Sequence, residues 1–211
     1  MLERVHGQYV HRRRVKVLAR HIAEILPFGA TVLDVGCGDG RLARLIMQRR
    51  PDLSIKGVDV LVRPETEIPV SAFDGATLPF ESASVDVVMF VDVLHHTNDP
   101  MVLLREAARV ARTAVLIKDH TDQGLFANAT LRFMDQVGNR RHGVALPHNY
   151  LKRSQWDRAW RELQLTPAVS KTRLGLYPFP ANLLFERSLH FVTLLRTASK
   201  SVLAADEVTS L

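Results

Sequence analysis

The sequence predicts an α/β protein: a doubly wound, mostly parallel sheet of seven strands, preceded by an N-terminal helix and carrying a lid-like insertion after the fifth strand. Three observations lead to that expectation. Short apolar runs suited to buried strands alternate with stretches whose apolar residues recur at helical spacing, the order that produces right-handed crossovers in a parallel sheet. Val85 to Val91 is an almost unbroken apolar run, as a central strand covered on both faces requires. Several strand candidates close on Asp or Gly, at Val35-Gly36, Val58-Asp59 and Phe73-Asp74-Gly75, where a strand end gives way to a turn.

Taken in order, Val15, Leu18, Ile22, Ile25 and Leu26 mark one face of the N-terminal helix, which Pro27 and Gly29 end. Thr31 to Val35 reads as the first strand. A helix with Leu42, Leu45 and Ile46 on one face follows and stops before Pro51. Ser54 to Val58 is the second strand, closing on Asp59, and Ile68 to Phe73 the third. The link between them, Leu61 to Glu67, is too short for an ordinary crossover helix, so that helix should be missing or a single turn. After the fourth strand, Val85 to Val91, come a helix from Met101 to Val110 and a fifth strand from Ala114 to Ile117. Leu125 to Val137 reads as helix, Gly138 to Tyr150 as an irregular loop, and Ser154 to Leu163 as helix with Trp156 and Trp160 on one face. The last two strands fall within Thr166 to Arg173 and Phe185 to Leu195. The expected organisation is one domain over 1–196, divided into a helix at 1–29 and halves at 30–120 and 121–196, with a frayed tail at 197–211.

A chain of 211 residues can bury a full core. Charges begin at Glu3 without the apolar stretch of a signal peptide, and no run of about 18 uncharged apolar residues follows, so a cytoplasmic protein is expected. Cys37 is the lone cysteine, which excludes an internal disulfide and a cysteine metal cluster and suggests a small buried side chain. A net charge of +6 and a pI near 9.9 favour anionic partners. Arg12, Arg13, Arg14, Lys16 and Arg20 concentrate that charge on the N-terminal helix, either as a solvated face or as a docking face for an anionic substrate or an acidic lipid surface.

The most specific feature is Asp34-Val35-Gly36-Cys37-Gly38-Asp39-Gly40, placed where a strand turns into a helix. Glycines there let the backbone turn tightly and approach a ligand, and the helix N-terminus offers free N–H groups. A dinucleotide fingerprint would need glycine where Arg41 stands, and no phosphate-binding GxxxxGK run occurs. What remains, an acidic residue and then GxGxG, resembles the first motif of the class I S-adenosylmethionine-dependent methyltransferases. The resemblance continues in register through Asp59 in IKGVDV, through Phe73-Asp74-Gly75-Ala76-Thr77-Leu78-Pro79-Phe80, and through Ser84-Val85-Asp86-Val87-Val88 with Val93-Leu94-His95-His96. It covers residues 30–120 and implies a Rossmann-like fold with S-adenosylmethionine as cofactor. It further implies a cofactor site of Asp34, Gly36, Cys37, Gly38, Gly40, Asp59, Val60, Asp74, Gly75 and Val91, with Asp59 accepting the ribose hydroxyls and Asp74 the adenine amino group.

Methyl transfer from a sulfonium needs alignment above all, and a positioned base where the acceptor carries a proton. Ligands of doubly wound sheets bind at the carboxyl ends of the strands. That rule selects Asp119 and His120 after the fifth strand and His96, beside His95, after the fourth as catalytic candidates. No metal is expected, since no ligand set of known spacing accompanies these histidines. In the irregular span, Arg140, Arg141, His142, His148 and Tyr150 are the substrate candidates, and Tyr9 joins Tyr150 in closing over the cofactor. The resemblance implies a small or carrier-bound metabolite as acceptor, at oxygen, carbon or nitrogen. The basic balance leaves a nucleic-acid methyltransferase as the alternative, against which stand the low aromatic content and the lack of an Asn-Pro-Pro-Tyr motif. A noncatalytic cofactor-binding scaffold is the third reading.

Overall fold

The computed structural model describes residues 2–139, 149–186 and 188–198, with side chains described from Arg12 onward except at 137–139. Helix α1 (Leu2–Ile25) leads into β1 (Thr31–Val35), α2 (Arg41–Arg49) and β2 (Ser54–Asp59). Then come β3 (Val70–Ala72), β4 (Val85–Val91), a single 3-10 turn (Leu94–His96), α3 (Pro100–Val110) and β5 (Ala111–His120). The remaining elements are α4 (Ala127–Asn139), α5 (Arg153–Glu162), β6 (Thr166–Lys171), the short α6 (Asn182–Phe185) and β7 (His190–Arg196).

Seven strands form one open sheet in the order β3-β2-β1-β4-β5-β7-β6. The first five run parallel, and β7 inserts antiparallel between β5 and β6. Strand β4 lies at the centre because six of its seven residues are apolar, five of them buried. One core layer packs α1 and α2 on the sheet through Leu18, Ile22, Ile46, Val32 and Met89. The other packs α3 and α5 through Leu104, Trp156, Trp160, Val88 and Phe191. Asp99 caps α3, its carboxylate accepting from the Met101 N–H at 2.9 Å, and Pro100 occupies the first helical position, where its missing N–H costs nothing. Among the described residues no helix is long and apolar enough to cross a membrane.

Differences from the expected elements have local causes. No helix forms between β2 and β3, as the short link predicts, but β3 shrinks to three residues because Pro69 precedes it. Strand β5 runs on through Lys118, Asp119 and His120, which were expected beyond its end. It can do so because β4 pairs it as far as Lys118 and β7 pairs it as far as His120, giving the buried backbone partners throughout. Helix α4 takes in Gly138 and Asn139 from the expected loop. The last strand starts at His190 and runs one residue past the expected span, to Arg196, while Phe185 ends α6.

The parallel strands bring the carboxyl ends of β1, β2, β4 and β5 to one edge of the sheet, and the candidate site lies there.

Candidate functional site

A cavity of about 470 Å³ opens at this edge, within the usual range of small-molecule sites. At one end it is lined by Gly36, Gly38, Asp59, Val60 and Val91, at the other by Arg14, Asp92, His95, His96, His120 and Asp135.

The glycine end is built by backbone. Gly36 has φ +72°, and a Cβ there would fall 2.7 Å from Val93 Cγ2, so only glycine fits. Gly38, at φ +60°, donates its N–H to Asp59 Oδ2 at 2.8 Å, while Asp59 Oδ1 accepts from the Leu61 N–H at 2.9 Å. Asp59 thus ties the glycine loop to the end of β2 and faces the cavity. The Arg63 guanidinium lies over Gly38, 3.3 Å from where its Cβ would stand, and 3.7 Å from Asp39.

Five of the ten expected cofactor residues, Gly36, Gly38, Asp59, Val60 and Val91, line the cavity. The other five stand behind or beside it. Asp34 is buried within β1, where burial, with Asp59 adding to it, pushes its carboxyl up to about 8. Cys37 packs against Gly57, whose Cβ would meet Sγ at 2.3 Å, and Gly40 packs under Ile68. Cys37 is half-buried rather than fully buried as expected, and burial, with Asp34 and Asp59 adding to it, lifts its thiol to about 12. Asp74 is exposed and accepts from the N–H groups of Ala76 and Thr77 at 2.8 and 2.6 Å, capping its own turn. Gly75 abuts Val60, which brings that turn to the cavity rim.

The histidine end is built by side chains. His95 is buried, with Nδ1 and Asp119 Oδ1 2.6 Å apart, a ring N–H donating to a carboxylate. Asp119 also accepts from the Leu94 and His120 N–H groups, at 3.1 and 2.7 Å, which locks it between the 3-10 turn and β5. On its other side, His95 Nε2 is 3.5 Å from Asp135 Oδ2 of α4. The Tyr150 hydroxyl donates to Asp135, and the Tyr150 ring stacks on His95 at 5.6 Å. His96 lies against His95 with ring centroids 4.0 Å apart.

Burial opposes charge on His95, but the carboxylates of Asp119 and Asp135 override it and lift the imidazole to about 10. His96, facing the cavity with no carboxylate so close, is driven the other way by burial and by His95, down to about 4. His120 is lowered by burial and by Lys118. Asp92 follows β4 at φ +57°, and its carboxylate takes the fully buried Lys118 ammonium and, at 3.5 Å, Arg14 from α1. Burial would raise Asp92, yet Lys118 and His120 hold it well below the usual carboxylate range.

Of the expected catalytic residues, His96 and His120 reach the cavity, whereas Asp119 is fully buried and meets it only through His95. Tyr150 is buried behind Asp135 instead of covering the cavity. Arg140, Arg141, His142 and His148, the Tyr9 side chain and the tail from 199 on lie outside the described residues. The basic face of α1 is only partly solvated: Arg14 turns inward, 5.5 Å over the Tyr177 ring, and Arg13 donates to the Gly175 carbonyl at 3.3 Å. Sequence reasoning missed Asp92 and Asp135. The first stands directly after the fourth strand and was within reach of the strand-end rule; the second carries no local signal.

Comparison with known proteins agrees with this architecture. Residues 33–116 match the family model described as a methyltransferase domain. The 27-O-demethylrifamycin SV methyltransferase of Amycolatopsis mediterranei is 31% identical over 110 residues, which cover 45% of this chain and 40% of that protein. The ubiquinone biosynthesis O-methyltransferase of Aliivibrio fischeri is 30% identical over 97 residues, covering 40% and 41%. The chain therefore matches about two fifths of the length of these curated relatives. Among solved structures, a methyltransferase bound to the Trm112 activator of Haloferax volcanii superposes with a TM-score of 0.68 at 18% identity, over 86% of this chain and 89% of that one. The geranyl diphosphate C-methyltransferase of Streptomyces coelicolor A3(2) gives 0.61 at 12% identity, over 85% and 78%. At such identities the likeness is one of fold, the Rossmann-like class I methyltransferase fold.

Proposed function

We propose that the chain, whose residues 33–116 match a methyltransferase domain, is an S-adenosylmethionine-dependent methyltransferase that moves a methyl group to a small or carrier-bound metabolite, at oxygen, carbon or nitrogen. The observation behind this reading is that a single cavity joins two chemically unlike ends, the glycine loop with Asp59 and the histidine cluster. When bound, S-adenosylmethionine supplies an activated methyl group, which leaves its sulfur as the bond to the acceptor forms.

The protein's share is placement. Gly36 and Gly38 let the backbone approach the amino-acid part of the cofactor, Asp59 accepts from the ribose hydroxyls, and Val60 with Gly75 and Asp74 borders the adenine side. Val91 ends the central strand between the two halves of the cavity, so an acceptor resting on His95, His96 and His120 faces the methyl group. Holding two reactants in line can supply roughly 7 to 11 kcal/mol of a barrier. Where the acceptor is a hydroxyl, its proton passes to a neutral imidazole, His96 or His120, while Asp119 holds His95 in place beside them. Arg140, His142 and His148 complete the acceptor side of the proposal, together with the exposed Arg12 for an anionic or carrier-bound group.

The test is turnover. Purified protein incubated with S-adenosylmethionine and a panel of phenols, quinols, hydroxy acids, amines and carrier-bound acyl groups should form S-adenosylhomocysteine only with an acceptor present. Absence of cofactor binding in calorimetry overturns the reading, and acceptor-independent binding with no turnover favours the scaffold.

A further inference from the structure

We infer that His95, His96 and Asp135 form a binding site for a divalent transition metal of the zinc class at the acceptor end of the cavity, with one coordination position open to substrate. Both histidines carry a buried ring nitrogen that makes no hydrogen bond, Nε2 of His95 and Nδ1 of His96. Such nitrogens are uncommon, because leaving a buried polar atom without a partner is costly. Nε2 of His95 stands 3.5 Å from Asp135 Oδ2, which is long for a hydrogen bond. It is close to the edge of a tetrahedron with metal–ligand bonds of about 2.1 Å, roughly 3.4 Å. A ligand atom from each of the three residues lies within 4.8 Å of the other two, so modest side-chain rotation converges them on one ion.

The outer contacts fit as well. Histidine ligands usually donate the other ring N–H to a carboxylate, which fixes the tautomer and aims the free nitrogen at the metal. Asp119 does this for His95 at 2.6 Å, and the Tyr150 hydroxyl steadies Asp135 in the same manner. Two carboxylates flank one imidazole, Asp119 on Nδ1 and Asp135 3.5 Å from Nε2, so the gap between His95 and Asp135 favours a cation. Two nitrogens and one oxygen suit zinc or cobalt better than magnesium, which prefers an all-oxygen set. The neighbouring group of Asp92, His95, Asp119 and His120 is a poorer cage, since the Lys118 ammonium already neutralises Asp92.

Metal binding is independent of the methyl-transfer proposal; only its role rests on that reading. There, a hydroxyl in the open position would lose its proton to water more readily and would be held facing the cofactor. The experiment uses the full chain, stripped with a chelator and titrated with Co²⁺ and then Zn²⁺. One equivalent of Co²⁺ should bind with the visible bands of tetrahedral cobalt and be displaced by Zn²⁺. Asp135→Asn and His96→Ala should each weaken binding by about 100-fold, and Asp119→Asn by about 10- to 100-fold. Circular dichroism and cofactor affinity should stay at wild-type values, which separates ligand loss from misfolding. Wild-type protein that takes up no metal, or variants that bind it equally well, overturn the site. Metal binding without cofactor binding upholds the site and defeats the methyltransferase reading. Turnover that survives the chelator removes the acceptor role.

Discussion

The two ends of the cavity are built on different principles. At the cofactor end, Gly36, Gly38 and Asp59 come from two adjacent strands and are held by backbone geometry, with the Gly38 N–H on Asp59 as the clasp. At the acceptor end, His95, Asp119, Asp135 and Tyr150 come from a 3-10 turn, a strand, a helix and the segment after it, and are held by contacts between their side chains. Backbone geometry is written locally, whereas a side-chain cluster exists only once distant segments have packed. The first end is thus suited to an invariant ligand, and the second can be re-equipped without disturbing the first.

If the ends are separable, a change at one should leave the other intact. The largest effect is expected from His95→Gln, which should lower the rate of methyl transfer by about 10²- to 10⁴-fold while calorimetry finds cofactor affinity unchanged. An equal loss of affinity would show that the ends are coupled. Gly38→Val should do the reverse, weakening cofactor binding by about 100-fold. A β-branched residue at φ +60° is strained and its side chain meets Arg63, yet circular dichroism should report an unchanged fold. Asp59→Asn should weaken binding by about 10-fold, near the lower end of the roughly 1.5 to 3 kcal/mol carried by hydrogen bonds to a charged group.

The smallest effect concerns Asp34, beneath the glycine loop. Its carboxyl titrates at about 8 in the folded protein, against 3.8 for an ordinary aspartate. As the pH rises between these values, the unfolded chain gives up a proton that the folded one retains, so the native state loses stability across that window. Below it the group contributes no difference. Replacing Asp34 with Asn removes the loss, and the gap in melting stability between variant and wild type should widen steadily from pH 4 to pH 8. A gap that is flat with pH would contradict the buried, protonated state.

The same contrast decides how much was legible beforehand. Strands β1 and β4 span the residues their apolar runs mark, because burial on both faces selects apolar side chains at most of their positions. The glycine loop was readable since its conformation demands particular residues in succession. Asp74 was less legible for the opposite reason: an aspartate followed by Gly-Ala-Thr serves a turn as readily as a ligand, and in the structure its Oδ1 caps its own turn. Lys118-Asp119-His120 was placed beyond β5 because three polar residues rarely lie inside a sheet. Here Asp92, His95 and the strand β7 supply the partners that permit it. No spacing rule reaches from His95 to Asp135 on α4, which is why the sequence suggested no metal ligands there.

The position of β7 has a further consequence for synthesis. Strand β5 acquires its second neighbour only after α4, α5 and β6 have been made, because β7, the last of the described strands, fills the gap between β5 and β6. On the ribosome, a nascent chain paused before Arg196 would present the apolar edge of β5 to its surroundings, an invitation to mispairing. Emergence of this chain should therefore call for chaperone shelter until β7 has been made.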